Sequence, residues 1–300
     1  MASESKVAIY AAIGGNLAIG AAKLVAALFT GSSAMLSEAL HSVVDAGNGV
    51  LLVVGLRRSR LPPDEDHPFG HGHELYFWSL IVGVLIFGLG GGMSIFAGVN
   101  RLRSPEPLGD PAWNYGVLAV SFVFESITWY LGWKAFVTEQ RGRGIFETIL
   151  HSKDPTSFSV LLEDSAALVG LLFAFAGVWA ATSLGIVWVD GAASILIGVL
   201  LCLVAVVMVN ESRKLLVGEG IEPGSRKWIR TFLRADRTVE DVGRLLSMYL
   251  GPDEVMLIVE IRFLTGEAHD VRAAVERIKA GIQEKYPRIR RISFDTTALG

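Results

Sequence analysis

The chain has 300 residues, 51% of them hydrophobic and 19% charged, below the ~25% charged usual in soluble domains. Its apolar residues gather in runs longer than the roughly 20 that cross a bilayer, which excludes an ordinary pair of soluble domains. A net charge of −3 excludes a general nucleic-acid binder, and a single cysteine, Cys202, excludes a disulfide framework or a thiolate zinc site.

Six apolar segments are read as membrane spans: residues 7–29, 34–56, 75–99, 113–137, 158–181 and 186–209. The leading residues 1–6 carry no cleavage pattern of a secretory signal. Polar or glycine-bearing breaks separate the spans, and Asp154 before Pro155 reads as the N-cap and first turn of the fifth. Lys6, Arg57, Arg58, Arg60, Lys134, Arg141, Arg143 and Lys153 fall on one side, against Arg101 and Arg103 on the other. That bias predicts both termini in the cytoplasm. From Arg213 the charge density rises and no further span occurs. Residues 225–234 read as a helix. Residues 242–250 and 255–264 read as strands joined at Gly251-Pro252-Asp253, Ala268–Lys285 as a helix and 289–296 as a last strand. The expected fold class is a six-helix membrane bundle (1–212) followed by a cytoplasmic α+β domain of α-β-β-α-β order (213–300). So small a tail domain favours dimerisation.

Ionisable groups in hydrocarbon are costly and mark function by default. The second span carries Glu38, His41 and Asp45, the fourth Glu125, the fifth Glu163 and Asp164, and the first Lys23. Asp190 reads as a solvated start to the sixth helix. His41 and Asp45 are four residues apart and project from one helical face. A ring nitrogen and a carboxylate oxygen so placed make half of a tetrahedral site for a divalent transition metal, and Asp164 could supply a third ligand. The three groups fit equally well as hydrogen-bond partners between packed helices.

The segment 31–45, Gly-Ser-Ser-Ala-Met-Leu-Ser-Glu-Ala-Leu-His-Ser-Val-Val-Asp, resembles the second-helix signature of the cation diffusion facilitator (zinc transporter) family. The segment 64–72, Asp-Glu-Asp-His-Pro-Phe-Gly-His-Gly, resembles that family's cytoplasmic loop, and Asn16, Lys23 and Asp190 also sit where the family tends to have them. With six spans and the α-β-β-α-β tail, the resemblance covers nearly the whole chain. It implies a homodimeric antiporter in the bilayer that exports a divalent cation, usually Zn²⁺, against protons. It also implies a four-ligand membrane site, with His/Asp-x-x-x-Asp on both the second and fifth helices. His41, Asp45 and Asp164 match three positions. The fourth is Val160, which cannot ligate.

Glu163, Glu125 or water can stand in for that ligand. Glu163 ranks slightly first, although it lies about 100° round the helix from Asp164. Either acid also fits a charge partner for a lysine or a station on a proton path, and Glu38 reads as lining the cavity. In the loop, Asp64, His67 and His71 fit the spacing of the family's minor metal site, beside Glu65, Asp66 and His73. The alternative is a solvated linker in which Pro68-Phe69-Gly70 turns the chain towards the third helix. In the tail, His269 and Asp295 are the two matches to a family binuclear site, too few for tight binding.

Shared ligands would couple metal to proton, because a ligand must lose its proton to bind metal. One nitrogen and two or three oxygens make a hard site, so Fe²⁺, Mn²⁺ and Co²⁺ compete with Zn²⁺ as cargo. An intramembrane metalloprotease would need His-Glu-x-x-His or an equivalent base, and no such pair occurs. A metal-sensing membrane scaffold without transport is the other competing reading. A bacterial plasma membrane is the expected location, with no catalytic activity.

Overall fold

The computed structural model describes residues 2–139, 155–264 and 268–296. Arg141, Arg143, Lys153 and the Asp154 cap lie outside them. The described residues fall into two compact units, one of residues 1–56 and 77–212, the other of residues 57–76 and 213–300. The second unit takes in the loop 57–76, which hydropathy alone assigns to the span region.

The first unit is all helical. Its helices are α1 (Ala2–Thr30), α2 (Ser33–Ser59), α3 (Glu74–Arg103), α4 (Pro111–Glu139), α5 (Pro155–Ser183) and α6 (Trp188–Val217). Each holds a stretch long and apolar enough to cross a membrane. Large apolar side chains such as Leu28, Phe29, Val120 and Leu172 point outward, as a lipid-facing surface requires. The helices outrun the apolar segments: α6 continues through Asn210, Glu211 and Arg213, because its backbone hydrogen bonds persist where the hydrocarbon ends. Gly31 ends α1 at φ +70°, its N–H bonded to Ala27 O at 2.8 Å.

Between α3 and α6, small residues let two backbones nearly touch. A Cβ on Gly98 would come 2.6 Å from Gly191 O, and one on Gly198 would come 2.7 Å from Gly91 O. The pairs are seven residues apart on both helices and run antiparallel, the close approach by which membrane helices gain dispersion contacts. The Gly91–Gly198 contact lies in a π-helical segment of α3, Ile86–Gly92.

Asp190 differs from its expected role. It is fully buried and binds Ser32 and Ser33 at the start of α2, with Ser33 N–H at 2.7 Å and Ser33 Oγ at 2.9 Å. Arg101 Nε lies 3.7 Å away. A carboxylate from α6 therefore caps the N-terminus of α2, taking up donors that α2 cannot satisfy itself.

The second unit has the order α7 (Pro223–Ala235), β1 (Val239–Gly251), β2 (Glu254–Phe263), α8 (Ala268–Lys285), β3 (Ile289–Asp295). β2 is central, antiparallel to β1 and parallel to β3. Gly251 pairs with Glu254 across Pro252-Asp253, a two-residue hairpin turn. Alternation along β2 buries Val255, Leu257, Val259 and Ile261, which join Ile229 and Leu233 of α7 and Ile278 and Ile282 of α8 in one core. This is the anticipated α+β tail.

The loop 57–76 is held to that sheet. Gly72 lies on the Leu250–Gly251 backbone, where a Cβ would come 2.8 Å from Leu250 C. His73 Nε2 sits 2.8 Å from Tyr249 O, and Tyr76 is wholly buried in the same core.

Candidate metal sites

The buried face of α2 is the polar centre of the membrane unit. Glu38, His41, Asp45 and Asn48 recur at intervals of three and four, so they form one stripe of that helix. Glu38, His41 and Asn48 are 0%, 3% and 1% exposed. His41 Nε2 stands 3.2 Å from Asp45 Oδ2, but without hydrogen-bond geometry. His41 Nε2, Asp45 Oδ1 and both amide atoms of Asn48 are buried without a hydrogen-bond partner among the described residues. Buried polar atoms are rarely left so, and apart from the Asn48 amide nitrogen these are a ring nitrogen and oxygens, the donor set of a divalent cation.

Neighbouring helices add charge to this stripe. Lys23 of α1 is fully buried and binds Glu38 Oε2 and Ser42 Oγ, each at 2.9 Å. Asp45 and Asp164 are electrostatic neighbours of Glu163 on α5, and Asn48 lies beside it. Asp164 in turn feels Glu125 of α4 and Asp45. Glu163 is 7% and Glu125 3% exposed, and Glu163 Oε1 has no hydrogen-bond partner among the described residues. Val160, by contrast, is 41% exposed. Trp129 of α4 donates its indole N–H to Ser165 Oγ at 3.0 Å, tying α4 to α5 beside these acids.

His41 and Asp45 are thus in contact, while Glu163, Asp164 and Glu125 are in electrostatic range. The membrane donors are not drawn into one tight cluster. Among the described residues, the group of three whose donor atoms lie within 4.8 Å of one another is Asp64, His67 and His71.

That loop group is built by local geometry. Asp64 Oδ1 accepts from the His67 N–H at 2.6 Å and lies 3.1 Å from His67 Nδ1, while Asp64 Oδ2 is 3.4 Å from His71 Nε2. The two rings lie 4.1 Å apart. Gly70, at φ +88°, makes the turn that returns His71 towards Asp64. The His67 backbone N–H, then the two imidazoles, hold the Asp64 carboxyl below its usual range. Phe69 carries Arg291 over its ring at 5.5 Å. His73 faces Tyr249 instead of the cluster. Exposed His269 contacts Asp270 at 3.7 Å, and neither it nor Asp295 joins a group of three donors among the described residues.

Spacing exposed the His41–Asp45 pair, but it gave no sign that Lys23 would hold Glu38. Asn48, three residues beyond Asp45, lies on the same face, and its spacing is the signal that marks it.

Six spans with an acid-rich interior define a multi-pass membrane protein of ion-handling type. A model of the cation efflux transmembrane domain matches residues 9–217. The chain belongs to the cation efflux family, the cation diffusion facilitators. It is 32% identical over 243 residues to "Proton-coupled zinc antiporter SLC30A9, mitochondrial" of Xenopus laevis, covering 80% of this chain and 44% of that protein. It is 34% identical over 234 residues to metal tolerance protein C4 of Arabidopsis thaliana, covering 77% and 51%. It is 26% identical over 273 residues to manganese efflux system protein MneS of Bacillus subtilis, covering 88% and 87%. The chain therefore spans about half the length, or less, of the first two relatives.

Proposed function

We propose that this protein exports a divalent metal cation, Zn²⁺ by preference, in exchange for protons. The observation that carries the reading is the buried stripe of α2, where His41 Nε2 and Asp45 Oδ1 lack partners opposite the acids of α5. His41, Asp45 and Asp164 bind the ion, and Glu163 replaces the ligand that Val160 cannot supply. Binding one ion with all of these donors requires them to stand closer together than they do here, which makes the occupied site a different conformation of the bundle.

The chemistry follows from charge. Among the described residues, Glu38, Asp45, Glu125, Glu163, Asp164 and His41 share this interior with Lys23, which neutralises Glu38. The remaining carboxylates are stable in a low-dielectric interior only with protons or a cation beside them. Metal entry displaces protons from the ligands, and protons arriving from the far side displace the metal. Alternating exposure of the site then converts a proton gradient into metal efflux. Asp64, His67 and His71 form a lesser metal site at the loop, and the chain acts as a homodimer in a bacterial plasma membrane with both termini cytoplasmic.

The relative named as a proton-coupled zinc antiporter supports this reading, as does the retained imidazole. A manganese cargo is the second reading. It is favoured by the oxygen-rich donor set and by the relative named as a manganese efflux protein. Reconstitution with a pH-reporting dye inside the vesicles tests the exchange. We expect metal and proton to move in opposite directions, and Asp45→Ala to abolish both fluxes in a normally folded protein. Metal flux with no opposed proton movement would defeat the exchange.

A further inference from the structure

We propose that the basic arc of α7 docks on anionic phospholipid headgroups of the bilayer that α6 crosses. In its 13 residues, Pro223–Ala235, this helix carries Arg226, Lys227, Arg230 and Arg234 and no acid. At 100° per residue the four fall within an arc of about 100°. The neighbouring side is committed: Ile229 and Leu233 are fully buried in the core of the second unit, so the arc cannot turn inward. Arg226, Lys227 and Arg234 are exposed and Arg230 is half-buried. Lys285 of α8 adds a further positive charge beside the helix, 5.9 Å over the Trp228 ring.

Other arginines of this unit are matched to acids: Arg244 to Glu260, Arg277 to Asp236, Arg291 to Glu254. The four of α7 make no ion pair among the described residues; Arg226 reaches only the Ile221 carbonyl, at 3.4 Å. Their charge is therefore available to an outside anion. Covalent reach determines which one. α6 ends at Val217 and α7 begins at Pro223, and a tether that short spans at most about 20 Å. A cationic helix so tethered stays within reach of the headgroups, and each basic residue near an anionic surface favours docking by about fivefold.

The test uses the full chain and does not depend on transport. With Cys202→Ser removing the native thiol, Thr231→Cys places a bimane label on exposed α7, in nanodiscs carrying a nitroxide-headgroup lipid. We expect stronger quenching when phosphatidylglycerol is mixed into phosphatidylcholine. The gain should be lost near 1 M salt, where charges are felt over only about 3 Å. R226Q/R230Q/R234Q should lower the docked-to-free ratio on the order of a hundredfold. The matching Arg→Lys triple should keep it, separating charge from folding. Equal quenching in both lipids, or full quenching in the Gln triple, overturns the proposal. So does a label that ignores phosphatidylglycerol but responds to added RNA, which would assign the arc to nucleic acid.

Discussion

Asp236 shows what a single well-placed carboxylate contributes. It accepts from Arg277 Nε at 3.0 Å and Nη2 at 2.8 Å, and from Thr238 N–H at 3.0 Å. These bonds, Arg277's foremost, hold its carboxyl at about 2 against an ordinary 3.8. A depressed acid stabilises the fold at every pH above its unfolded value, and that contribution disappears as pH falls from about 4 through about 2. Because Arg277 is largely exposed, solvent screening keeps the gain small. Arg277→Ala should therefore lower the melting temperature at pH 6, and the gap to wild type should close as pH approaches 2. A gap independent of pH would mean that Arg277 acts by packing alone. The Lys23–Glu38 pair follows a different rule. Buried ion pairs are poor sources of net stability but costly to break, so Lys23 reads as a charge-setting group of the bundle rather than as a staple.

At the scale of elements, the α3–α6 contact depends on what its glycines lack. Gly198 has Gly91 O, Ile95 N and Ile95 Cγ1 within 2.8 Å of the position a Cβ would take, and two of these atoms are backbone. Gly198→Ala should force the helices apart and destabilise the bundle by about 1–3 kcal/mol, read as a lower melting temperature in detergent. Gly116, in the second turn of α4, has nothing within 4 Å of that position. Gly116→Ala should be neutral or stabilising by up to ~1 kcal/mol through helix propensity. If the two substitutions behaved alike, close backbone approach would not be what joins α3 to α6. The cap that Asp190 provides to α2 works between elements in a similar way, because the carboxylate and the helix end it satisfies belong to different spans.

For the whole molecule, the outstanding property is which ion the interior accepts. In the proposed site, one imidazole among several carboxylates is a borderline donor set, so the proposal places selectivity in how tightly the bundle closes. In reconstituted vesicles at equal free concentrations, Zn²⁺ should outcompete Mn²⁺, Fe²⁺ and Co²⁺ for uptake. His41→Asp, which replaces the imidazole of the proposed site with oxygen, should shift preference towards Mn²⁺. Unchanged preference in that variant would remove His41 from the selectivity-determining set.

The six spans, the α-β-β-α-β tail and the His41–Asp45 pair were legible in the chain because each is a matter of period and run length. Apolar runs must cross lipid, strands alternate, and residues four apart on a helix meet. Partnerships between distant segments were not legible in that way, because local pattern does not encode which helix faces which. Asp190 looked like a solvated helix start and is a buried cap. Glu38 looked like part of a cavity wall and is held by Lys23. Spacing in the loop set Asp64, His67 and His71 apart, and the turn at Gly70 brings them together, but it gave no sign that His73 is drawn to the sheet. Each of these outcomes depends on packing between residues far apart in the chain, where desolvation makes a charge seek whatever partner the fold brings near.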